Sequence, residues 1–195
     1  MSCFGAKRGK QETFTLLDEW VAPTQPIPRE EALAKLAQRY FASHGPATVH
    51  DLARWAGITV TDARHGTADV GTALICEIVA GTEYWLPQQT PEGLSTIHTV
   101  HLLPGFDEYI LGYSDRDAVL APQHADRICP GGNGVFRPTV VIDGIVRGTW
   151  QRTLKKKGVA IEWTPFEAFS AAESTAIAAA AQRYGEFLTL PVIAH

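Results

Sequence analysis

"TVHDLARWAGITVTDAR", residues 48–64, writes the same opening twice: Thr48-x-x-Asp51 and then Thr59-x-x-Asp62. A threonine hydroxyl can accept the backbone N–H three residues ahead, while an acidic side chain there reaches back to the threonine N–H. Each opening therefore starts a helix, with Asp standing where Glu or Gln is usual. Gly57 lies between them at the place of a helix end. The spacing predicts a short helix to about Trp55 and another from Thr59 through Arg64. Upstream, Pro28 suits a helix start, because its missing N–H costs nothing there. Leu33, Leu36, Ala37, Tyr40 and Phe41 fall on one helical face, and Gly45-Pro46 stops that helix. Downstream, "ALICEIVAGTEYWLP" (73–87) reads as two strands about a turn at Ala80-Gly81. Three helices and a hairpin are the order of a winged helix, assigned to residues 29–96.

Residues 1–28 form a separate lead-in. A strand is expected around Thr13–Leu17, followed by an extended linker in which Pro23, Pro26 and Pro28 forbid helix. Residues 97–195 change character. "TIHTVHLL" (96–103) alternates as a strand does, and Asp143-Gly144 is a two-residue hairpin turn between apolar runs. "KKKG" (155–158) is a second turn. Ser170 and Glu173 make a capping box, opening a helix with Ile177, Ala181, Tyr184 and Leu188 on one face. The fold class is α+β: a winged helix followed by a strand-rich, small barrel-like domain with a C-terminal helix.

The formal net charge of −4 excludes a uniformly basic nucleic-acid binder, but the charge is unevenly spread. Residues 29–96 carry five basic and eight acidic residues; residues 129–161 carry six basic residues and one acid, Asp143. If phosphate is bound, the later segment is the better-placed surface. No apolar run approaches the roughly 18–20 residues of a membrane helix. Cys3, Cys76 and Cys129 are far apart and odd in number, which fits a reducing cytoplasm and supplies no metal framework.

Three stretches together resemble one family. They are "RGKQETFTLLDEW" (8–20), "LLPGFDEYILGYSDR" (102–116) and "PGGNGVFRPTVVIDGIVRGTW" (130–150). They are similar to the bacterial tandem winged-helix proteins that include the AlkZ-like and YcaQ-like DNA glycosylases. The resemblance implies several winged helices around a β-barrel and a role in DNA binding and repair. It also implies a Gln-x-Gln or Gln-x-Asp motif, commonly within "VQAQ", for base–sugar cleavage. No such motif occurs: Gln88-Gln89, Gln11-Glu12 and Gln151-Arg152 have the wrong spacing or context. The chain thus corresponds to the C-terminal half of the family pattern, and "MSCFG" falls in mid-family sequence, as expected of a short gene or a shortened chain.

Within 102–116, Asp107 and Glu108 are the candidate catalytic carboxylates. Neighbours diverge on a strand or a helix, so a cooperating pair is disfavoured. The structural reading is preferred, with Asp107 capping a turn and Phe106 and Tyr109 packing inward. In Asp115-Arg116-Asp117, an ion pair of Arg116 with its flanking acids, or a turn, is preferred over a phosphate clamp. Arg137, Arg147, Arg152, Lys155, Lys156 and Lys157 surround the two hairpins and are the candidate DNA-binding group, with Lys7, Arg8 and Lys10 as additions. The competing reading is a lysine-guarded sheet edge. Arg64, beside His65 on the third helix, is a further candidate, although Asp62 and Asp69 flank it. His98 and His101 lie three apart and would face opposite sides of a strand, so no metal site is expected. "PGGNG" (130–134) lacks the Lys-Ser/Thr of a phosphate loop. No cofactor is expected.

The expected function is therefore a DNA-binding winged-helix protein related to glycosylases for alkylated or cross-linked bases. Alternatives are an active glycosylase with a different catalytic group, and a protein-interaction module. Double-stranded DNA is the expected partner, with an N-terminal winged-helix half or a second copy as the expected protein partner.

Overall fold

The computed structural model describes residues 2–22, 25–89 and 99–193. The chain opens with a small antiparallel hairpin, β1 (Ser2–Phe4) and β2 (Phe14–Leu16), then a single helical turn, α1 (Leu17–Trp20). The lead-in thus holds two strands where the sequence pattern marked one. The missed strand, "SCF", is too short to show a period.

Three helices follow: α2 (Arg29–His44), α3 (Val49–Ala56) and α4 (Val60–Asp69). Thr48 and Asp51 form the full reciprocal capping box, and Gly57 closes α3 in the left-handed region at φ 65°. Thr59 accepts from the Asp62 N–H at 3.0 Å and starts α4. That helix runs past Arg64 to Asp69, because Ala63, Gly66 and Thr67 bury on one side and tertiary packing extends what local pattern leaves open. Ala37, Tyr40, Phe41, Ala47, Leu52, Ala53 and Ala63 form a core with Leu74 of the next hairpin, β3 (Leu74–Val79) and β4 (Thr82–Pro87). The hairpin turns at Ala80-Gly81, and Trp85 packs against the helices.

The second sheet has four antiparallel strands in the order β5 (Val100–Leu103), β6 (Thr139–Ile142), β7 (Ile145–Lys155) and β8 (Gly158–Pro165). Between β5 and β6 the chain makes two short helices, α5 (Glu108–Leu111) and α6 (Ala125–Ile128). The helix α7 (Ala171–Phe187) closes the fold, opened by the Ser170–Glu173 capping box.

The sheet is open, not a closed barrel; its faces are covered instead of curled shut. Val140, Ile142 and Trp150 pack against Ile177 and Ala180 of α7. On the opposite face Val141 and Val146 pack with Ile110 of α5, Leu120 and Ile128 of α6. Asp143 (φ 49°) and Gly144 (φ 81°) make the two-residue turn between β6 and β7. Register shifts between Val140 and Val141, leaving Arg147 as the extra residue on β7, a bulge that turns it toward Glu173 at 3.4 Å.

Candidate nucleic-acid interface

The stretch 107–116 is where the helical module meets the sheet. Asp107 is the N-cap of α5 and accepts the Tyr109 N–H at 2.9 Å. The carbonyls of Ile110, Leu111, Gly112 and Tyr113 are each taken by a side chain. Arg116 Nε donates to the carbonyl of Ile110 at 2.6 Å. Arg54 donates to the carbonyls of Leu111 and Tyr113. The Tyr40 hydroxyl donates to the carbonyl of Gly112 at 3.0 Å. Such groups are the orphan carbonyls of a helix end, and the bonds from Arg54 and Tyr40 bind the two modules together. Gly112 is required by closeness: a Cβ there would sit 2.8 Å from the Glu108 oxygen and 2.9 Å from the His44 ring.

Asp51 completes the junction. One carboxylate oxygen accepts the Thr48 N–H at 2.9 Å and the Thr48 hydroxyl at 2.7 Å; the other accepts the Ser114 N–H at 2.6 Å. Burial works against its charge, but the hydrogen bonds from Ser114 and Thr48 outweigh it and hold the carboxyl below its ordinary range. Here the Asp in place of Glu acquires a reason: one oxygen caps α3 while the other reaches across to the sheet module.

Glu108 points away from Asp107. It accepts the Trp55 indole N–H at 2.9 Å and lies 3.7 Å from His44, which stacks on Tyr40 with ring centroids 4.6 Å apart. The two candidate carboxylates therefore have separate jobs. Tyr109 packs inward and donates from its hydroxyl to the Gly144 carbonyl, tying α5 to the β6–β7 turn. Phe106 departs from the expected inward packing: it is exposed, at φ 61°. Of the two readings of Asp115-Arg116-Asp117 the turn is present, Asp115 accepting the Asp117 N–H at 2.8 Å, while Arg116 makes no ion pair with its flanking acids among the described residues. Its guanidinium instead lies 5.2 Å from the Phe136 ring centroid, and burial, with Arg54 nearby, lowers its pKa. Arg54, Trp55 and Tyr40 carry no functional signal in the sequence, where Tyr40 reads only as part of a helix's apolar face and Trp55 as a helix end.

The basic candidates divide by position. β6 pairs with β7 only as far as Thr149, whereas β7 and β8 stay paired out to Lys155 and Gly158. The end of this hairpin projects beyond β6, with residues 151–157 all exposed. Lys156 and Lys157 form its turn, and Lys155, Lys156 and Lys157 make no ion pair among the described residues. Arg152 lies over the Tyr184 ring at 5.6 Å, its charge still exposed. Arg137 is exposed just before β6, where the Pro138 carbonyl accepts the Trp150 N–H at 3.2 Å. Arg147 is half-buried and engaged by Glu173. Arg64 is exposed on α4, on the other module. The structure thus puts Arg152 and Lys155–Lys157 on the projecting end of one hairpin, with Arg137 before the adjoining β6, while Arg147 is held by Glu173 and Arg64 lies on the other module.

A cleft of about 800 Å³ between the β3–β4 face and residues 113–119 carries Glu77, Asp115 and Asp117, a charge unsuited to phosphate. His98 lies outside the described residues. No helix among the described residues is long and apolar enough to cross a membrane, and no three His, Cys, Asp or Glu side chains among them cluster to hold a metal.

Comparison with known proteins agrees with this architecture. The family model described as DNA glycosylase AlkZ-like matches residues 3–187. The interstrand DNA cross-link repair glycosylase of Streptomyces sahachiroi is 32% identical over 158 residues, covering 76% of this chain and 42% of that protein. The solved structure of the Streptomyces sahachiroi DNA glycosylase AlkZ superimposes with a TM-score of 0.79 at 28% identity, over 100% of this chain and 54% of the other. The chain spans about half the length of the relatives it matches. With 3–187 matched, the chain belongs to the AlkZ-like DNA glycosylase family.

Proposed function

We propose that this chain is a DNA-binding member of its family that grips duplex DNA through the phosphate backbone and does not itself excise bases. The observation that carries this reading is the projecting β7–β8 hairpin with Lys155, Lys156 and Lys157 at its tip, making no ion pair among the described residues. Arg137 and Arg152 flank it, and a strand pair of this width can approach a groove while its cations displace counterions from phosphates. Residues 29–96 act as a winged-helix module whose α4 contributes Arg64 at most, since its surroundings are acidic. The domains are 1–28, 29–96 and 97–195, the last two joined by the Asp51 and Arg54 contacts into one platform.

Absence of a Gln-x-Gln or Gln-x-Asp sequence supports the lack of excision. The alternative, an active glycosylase using Asp107 or Glu108, is disfavoured because Asp107 caps α5 and Glu108 is held by Trp55. Fluorescence anisotropy with a labelled duplex tests binding: affinity falls steeply with salt, and no binding at low salt refutes the proposal. Incubation of excess protein with DNA carrying alkylated purines tests the rest: release of free base contradicts it.

A further inference from the structure

The β1–β2 hairpin carries an apolar face that nothing else in the described chain covers. Ser2 pairs with Leu16 and Phe4 with Phe14, so the two phenylalanines and Leu16 share one face of the hairpin. The Phe4 and Phe14 rings lie 5.1 Å apart. Phe4 is 69%, Phe14 70%, Leu16 53% and the adjoining Trp20 57% exposed. None belongs to the three cores. Clustered aromatic exposure of this kind marks an interaction surface, whereas single exposed apolar side chains do not.

The charges at the two ends of the hairpin say what fits there. At its tip are Lys7, Arg8 and Lys10; Lys7 is paired with Glu12 at 2.7 Å, while Arg8 and Lys10 make no ion pair among the described residues. At its root α1 presents Asp18 and Glu19, both exposed and likewise without an ion pair among the described residues. A two-fold axis through the Phe4–Phe14 pair turns the basic tip of one hairpin onto the acidic root of another. The parallel arrangement would set like charge on like. A self-complementary patch is what an isologous interface requires.

We propose that two copies of this chain pack through these hairpin faces, antiparallel, with Arg8 and Lys10 of each copy facing Asp18 and Glu19 of the other. The proposal does not rest on the DNA-binding reading. The four side chains offer roughly 400 Å² per copy, below the ~800 Å² per partner of a standard interface, so the association is weak and concentration-dependent.

Sedimentation analysis of the whole chain over a range from sub-micromolar to hundreds of micromolar tests this. The average mass should climb from 21.2 kDa toward twice that value. Phe14→Glu, at a position exposed enough to leave folding intact, should hold the protein at one chain throughout. The double variant Arg8→Glu/Lys10→Glu should weaken association about tenfold, and adding Asp18→Lys/Glu19→Lys should restore it. If Phe14→Glu fails to fold, the charge-swap series decides alone. A single-chain mass at every concentration overturns the proposal. So does a dimer indifferent to Phe14→Glu, or a quadruple variant no tighter than the double.

Discussion

Replacing Asp51 by Ala cuts both ends of one junction. The capping box at α3 loses its return bond to the Thr48 N–H, and loss of a cap costs about 1 kcal/mol. The Ser114 N–H loses a charged acceptor at 2.6 Å, a bond class worth about 1.5–3 kcal/mol. Ser114 is exposed, so water replaces part of that bond and brings its loss below that range, to about 1 kcal/mol. The sum is about 2 kcal/mol, which at a slope of about 2 kcal/mol/M in urea lowers the unfolding midpoint by about 1 M. Asp51→Glu, the usual capping-box residue, keeps the cap but overreaches Ser114, and should lose about half as much. Urea titration followed by tryptophan fluorescence and far-UV circular dichroism reads both. A loss below about 0.5 kcal/mol for Asp51→Ala, or an equal loss for the two variants, would refute the claim that this carboxylate joins the modules.

The same carboxylate predicts a pH dependence. Its folded pKa lies below the ordinary 3.8, so its stabilisation is fully present above that value and is lost as pH falls through the folded pKa. Asp51→Asn should therefore show a flatter decline of stability below about pH 4, and parallel acid limbs would argue against it. Gly112→Ala should destabilise by about 1–3 kcal/mol, because the added methyl meets the Glu108 carbonyl and the His44 ring; a thermal melt unchanged from wild type would contradict the close packing.

Much of the helical module was legible because its signals are local. Thr48, Thr59, Gly57 and Ala80-Gly81 each act within a few residues, and the elements begin and end about where these residues place them. Asp143-Gly144 and Lys156-Lys157 marked the hairpins for the same reason. What escaped the sequence was non-local. Arg54 and Asp51 reach partners about sixty positions away, and nothing in their own neighbourhood announces it. The barrel expectation met an open sheet because closure depends on what covers each face, and α5, α6 and α7 cover both. Among the basic candidates, the Glu173 partner of Arg147 lies on a distant helix, so only three-dimensional placement separates that arginine from the projecting lysines.

The central claim is that the β7–β8 hairpin tip holds DNA by its phosphates. Its most direct test is the salt dependence of duplex binding for the wild type and for Lys155→Glu/Lys156→Glu/Lys157→Glu. Each phosphate contact contributes about 0.9 to the slope of log affinity against log salt, so removing three contacts should flatten the slope by about 2–3 and weaken binding alike on unrelated sequences. A triple variant with the wild-type slope and affinity would contradict the account.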